Sequence, residues 1–153
     1  MTHHSPFEDV AAVGATSSLK HCLVLEGDYN MSAQTIHFFF TMRDQLKLYH
    51  WQTAGYARHK ASDDLIKELD ELIDLYVEVY MGKYGRPKMT AATNTTTVKN
   101  LSDIAAVKFV KGCIDYLNGP LTKSLRGTDT DLANIRDEML ASLNKILYLF
   151  TLK

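Results

Sequence analysis

"SDDLIKELDELIDLYVEVYMGKYGRPKMTAATNTTTVKN", residues 62–100, decides how this chain folds. Its first part carries Leu65, Leu69, Leu72, Tyr76 and Tyr80 at spacings of 3 and 4, the apolar stripe of an amphipathic helix. Gly85 and Pro87 then stop that helix. Gly85 also opens a polar, threonine-rich segment of 16 residues, "GRPKMTAATNTTTVKN". Extended, it spans about 50 Å, whereas a helix of some 22 residues is about 33 Å long. The segment is long enough to cross the full length of a helical bundle.

Three more helices are expected on either side of it. One runs from about Ser32, a suitable N-cap, to about Thr53, with Phe39, Met42, Leu46 and Tyr49 on one face. The quoted helix itself starts near Lys60, past Gly55. A third begins near Ser102 with Ile104, Val107, Val110, Ile114 and Leu117, and Asn118-Gly119-Pro120 breaks or kinks it. The fourth starts near Thr130 and carries Leu132, Ile135, Met139, Leu143, Ile146 and Phe150. No strand-like alternation competes. The fold class is all-α: two short-looped hairpins joined by a long crossover between helices two and three, which is the ferritin-like four-helix bundle. An up-down-up-down bundle with a loose loop is the other arrangement. Residues 1–30 lack a clear period and read as an N-terminal arm, with the bundle over 31–153.

Composition sets the outer limits. The chain has 153 residues, enough for one domain with a sizeable core. Lys and Arg number 17 against 18 Asp and Glu, so the charge balance gives no reason to expect DNA binding. No apolar run reaches the roughly 18 residues of a membrane span, and Met1-Thr2-His3-His4 does not begin like a signal peptide. A soluble, cytoplasmic protein is expected. Cys22 and Cys113 stand apart with no CxxC, and free thiols are the expectation.

The polar face of helix two holds the chemistry. Asp63 and Asp74 are eleven residues apart, three helical turns, and fall within about 20° of each other around the axis. Glu78 is one turn beyond Asp74, and His59 one turn before Asp63. His50 comes from the end of helix one. Imidazole with carboxylate suits Fe2+, Mn2+ or Zn2+. Yet His59 and Glu78 lie 19 residues apart, about 28 Å along the helix. One ion cannot touch both, so there are two sites or one site completed by another subunit. Solvated acids paired with neighbours such as Lys67 are the plain alternative.

The run from His50 to Pro87 resembles the signature of the Dps-type miniferritins. His50-Trp51, Gly55, His59, Asp63, Asp74, Glu78 and Gly85 meet that signature in order, although the segment between Trp51 and His59 is about three residues shorter than in the family. The resemblance implies a homo-oligomer, a hollow dodecamer in that family, with intersubunit metal sites. His50, His59 and Asp63 of one subunit would face Asp74 and Glu78 of a two-fold-related one. It also implies oxidation of Fe2+ by hydrogen peroxide or oxygen, storage of ferric iron and protection against peroxide. Trp51 would stand beside the iron and quench radicals. Classical ferritins are excluded, because no Glu-x-x-His occurs. The same segment is also similar to small uncharacterised proteins of large DNA viruses. That likeness implies a non-enzymatic ferritin-like structural or virion-associated protein with an idle metal site. A helical adaptor with an exposed patch near Phe38 and Phe40 is the third reading.

Overall fold

In a computed structural model, the backbone of residues 17–153 and the side chains of residues 33–153 are described. Helix α1 spans Ser17–Gln52, α2 Tyr56–Tyr84 and α3 Asp103–Tyr116. A π-helical turn, Leu117–Leu121, and the single-turn α4, Thr122–Ser124, come next, and α5 spans Thr130–Leu149. There is no strand among the described residues. The expected start of helix one near Ser32 is replaced by Ser17, since no proline interrupts residues 17–32. The first 16 residues of the expected arm lie outside the described residues.

Local sequence explains the ends. Gly55 precedes α2 in an extended conformation, and Gly85 closes it at φ 84° with its N–H on the carbonyl of Met81. A side chain at that φ would be strained, so glycine is required there. Ser102 caps α3, its hydroxyl accepting from the Ala105 N–H at 3.2 Å. Pro120, which has no N–H to give, sits inside the π turn. Thr122 donates its hydroxyl to the Leu117 carbonyl at 2.7 Å, and Arg136 donates to Thr122 at 2.6 Å. The expected break at Asn118-Gly119-Pro120 is therefore a widened turn that holds Leu117 and Leu121 in the core.

Cross-helix contacts fix the directions. Phe39 meets Tyr76, Arg43 meets Asp70 and His50 approaches Asp63, so α1 and α2 are antiparallel. The 85–102 connection then runs back along α1. His37 Nε2 bonds the Thr95 carbonyl at 2.8 Å, Gln45 bonds both backbone groups of Lys99, and Gln52 donates to Asn100 at 2.7 Å. It delivers Asp103 to Tyr49 Oη at 2.6 Å. From there α3 descends until Tyr116 stacks on Phe38 at 3.9 Å, parallel to α2. Helix α5 returns against α2, with Lys83 on Asp131 at one end and Glu68 on Lys145 further along. The four main helices enclose one core of Phe39, Met42, Leu46, Leu65, Leu69, Val110, Leu117, Leu132, Met139 and Leu143. Around the bundle α1 touches α2 and α3, and α5 touches the same two.

One face differs from expectation. Ile104, placed in the core by its spacing, is 74% exposed. The buried stripe of α3 continued by the π turn is Ala106, Val110, Cys113 and Leu117, a 4,3,4 spacing that shares Val110 and Leu117 with the expected one. Burial pushes the free Cys113 thiol up to about 12.

Candidate functional site

The turn between α1 and α2 is only three residues, 53–55, and it brings His50 and His59 face to face. Their rings stack with centroids 4.0 Å apart and planes 25° off parallel. Each ring bonds the backbone of the other: His50 Nδ1 lies 2.9 Å from the His59 carbonyl, and His59 Nδ1 lies 2.9 Å from the His50 carbonyl. His50 is buried and His59 exposed. Beneath His50 sits the fully buried Ser62, whose Oγ is 3.3 Å from His50 Nδ1 and donates to the Arg58 or His59 carbonyl.

Asp63 joins this pair one turn along α2. Its Oδ1 is 3.9 Å from His50 Nε2 and 3.9 Å from Lys47 Nζ, while Oδ2 takes a 2.8 Å hydrogen bond from Lys67. That hydrogen bond, with the nearby charges of Lys67 and Lys47, holds the Asp63 carboxyl below the usual carboxylate range. Trp51, one residue past His50, is 67% exposed, with Lys47 Nζ 5.6 Å from the ring centroid.

Asp74 and Glu78 are not part of this cluster. Both are exposed on the far half of α2, and neither makes a hydrogen bond or ion pair among the described residues. Within one chain, no group of three or more His, Cys, Asp or Glu side chains among the described residues stands ready to hold a metal ion. At one end of α2, His50 stacks on His59 and approaches the Asp63 carboxylate at 3.9 Å. Two free carboxylates wait at the other.

The charges along α2 divide the same way. Residues 68–82 contain Glu68, Asp70, Glu71, Asp74 and Glu78 and no lysine or arginine. Residues 56–67 contain Arg58, Lys60 and Lys67 beside Asp63 and Asp64, and Lys47 of α1 adds to them. Lys47 and Ser62 are not legible in the sequence as parts of the site. Lys47 lies on another helix, and nothing distinguishes Ser62 from an ordinary helix serine until burial places it under His50.

Fold and site together define a four-helix bundle with a histidine pair at its first interhelical turn. The chain belongs to DUF5856, a family of unknown function, whose model matches residues 50–150. The matched span begins at His50 and includes His59, Asp63, Asp74 and Glu78. The chain is also similar to an uncharacterised 14.6 kDa protein from the mobD-ri intergenic region of Enterobacteria phage T4. The two are 42% identical over 60 residues, 36% of this chain and 47% of the phage protein. The chain thus spans about half the length of that relative. No solved structure matches. The viral likeness has a counterpart in the phage protein, whereas the family model is one without known function and not a Dps-type one. No helix among the described residues is long and apolar enough to cross a membrane.

Proposed function

We propose that this chain is a Dps-like miniferritin, a ferritin-like bundle that takes Fe2+ as substrate, oxidises it and stores the ferric product at sites shared between copies. The observation that carries this reading is the division of the donors on α2. His50 contacts both His59 and Asp63 at one end, and the unpartnered Asp74 and Glu78 stand one turn apart at the other. The connectivity, with the crossover running along α1 and α2 parallel to α3, supports the ferritin-like class.

A two-fold, antiparallel meeting of α2 with α2 of a second copy places the acidic half of each on the half of the other that carries Arg58, Lys60 and Lys67. Such an isologous contact is self-complementary in charge. The same operation carries Asp74 and Glu78 toward the partner's histidine pair, and closes two equivalent sites. The donors fit the metal: imidazole and carboxylate suit Fe2+, and anionic oxygen favours the ferric state. Each Fe2+ gives one electron to hydrogen peroxide or oxygen, and the protein's part is to hold the ion, leave positions open and stabilise the charge formed.

The test is light scattering on the full chain with Fe2+ titrated anaerobically, followed by stopped-flow oxidation. A homo-oligomer of about twelve chains that binds Fe2+ and oxidises it on adding peroxide supports the reading. A monomer indifferent to iron sinks it.

The likeness to a phage protein favours a second reading, a non-enzymatic structural or virion-associated bundle with the site idle. It predicts an Asp74→Asn/Glu78→Gln variant that assembles and unfolds like the parent.

A further inference from the structure

The 53–55 turn does more than join two helices. A backbone carbonyl can only accept, so an imidazole nitrogen 2.9 Å from one must carry the proton. This holds for Nδ1 of both His50 and His59, because each meets the other's carbonyl. A neutral imidazole protonated at Nδ1 keeps the lone pair on Nε2, the nitrogen then left for a metal. Ser62 Oγ, buried and 3.3 Å from His50 Nδ1, is a second acceptor on the same side of that ring. Both bonds need residues 50 and 59 to approach closely, and the nine-residue separation with a three-residue turn permits that.

We propose that the 53–55 turn is a positioning element: it makes His50 and His59 exchange Nδ1–H···O=C bonds, which fixes both as Nδ1–H tautomers with Nε2 bare for a divalent cation. The nitrogen half of the site is thereby set within one chain, before metal or partner arrives. The use made of Nε2 rests on the metal-site reading, while the tautomers are a property of the metal-free chain.

Two-bond nitrogen–proton NMR correlation on the metal-free full-length chain at pH 8 reads the tautomers directly. Nδ1–H signatures for both His50 and His59 are expected, and an Nε2–H signature from either overturns the proposal. Inserting Gly-Gly-Ser between Ala54 and Gly55 lengthens the turn, a change bundles tolerate because loop closure costs grow slowly. In that variant both rings are expected to lose the fixed tautomer, with helix content and cooperative unfolding kept. Zn2+ affinity by calorimetry is expected to fall about tenfold or more relative to the parent. A folded insertion variant that binds Zn2+ as the parent does overturns the proposal, as does a parent that fails to bind Zn2+. If the insertion does not fold, the tautomers of the parent chain still decide. A parent with both rings Nδ1–H and tight Zn2+, yet no Fe2+ oxidation, rejects the ferroxidase reading and leaves the role of the turn intact.

Discussion

Asp63 has Lys47, Lys67 and His50 around a single carboxylate, so a metal ion bound there, as proposed, would compete with lysine. An exposed lysine–carboxylate pair contributes little. Lys67→Gln should therefore strengthen divalent-ion binding by about twofold, as calorimetry can resolve. Removal of a donor weighs more. His59→Ala or Asp63→Ala should slow initial Fe2+ oxidation by roughly tenfold or more, as expected for a lost metal ligand, and stopped-flow rates equal to the parent's in either variant would exclude the site. The candidate donors are legible from residue type and spacing, since 11 and 4 on a helix place side chains on one face. Their mutual bonding is not, because it depends on a turn whose length periodicity leaves open. Trp51 shows the same limit. Its place beside His50 is legible, but its outward direction with Lys47 against the ring is not.

Two junctions hold the elements in register. Gln45 on α1, 4% exposed, donates to the Lys99 carbonyl at 2.7 Å and accepts from the Lys99 N–H at 2.8 Å, pinning the crossover like one rung of a sheet. Gln45→Ala leaves that backbone pair without its partner and should destabilise the fold by about 1–3 kcal/mol in urea unfolding. At the opposite end the buried Asp129 joins α5 to α2. Burial by itself would raise its pKa, but Lys83, the Tyr84 hydroxyl and the Arg126 N–H hold it down to about 2. A carboxylate depressed on folding adds stability that is complete above its unfolded pKa and fades as pH falls through the folded one. Asp129→Asn should flatten the loss of stability between about pH 4 and 2, followed by thermal unfolding across that range. Neither junction can be read from sequence, because Gln45 and Lys99 are 54 residues apart and periodicity does not reach that far. Helix α2 is legible because Leu65, Leu69, Leu72 and Tyr76 occupy one stripe. The buried face of α3 is not, because its two candidate stripes share Val110 and Leu117, and only packing chooses between them.

For the whole molecule, the uneven charge of α2 gives the proposed assembly a test in salt. If the acidic half of one copy rests on the half of another that carries Arg58, Lys60 and Lys67, salt weakens the contact by screening. Asp74→Asn with Glu78→Gln should then lower the assembled fraction measured by light scattering at low ionic strength, with the difference from the parent shrinking toward high salt, about 1 M. An unchanged mass distribution would point to the structural reading instead. The long connection has its own bearing on integrity. Each hairpin, α1 with α2 and α3 with α5, closes through neighbours in sequence, and the 85–102 segment alone ties one to the other covalently. The molecule is in effect a heterodimer of hairpins joined by one tether, which keeps the association of its halves intramolecular. Cleavage within that tether would turn unfolding from a unimolecular event into a dissociation, and stability would come to depend on dilution.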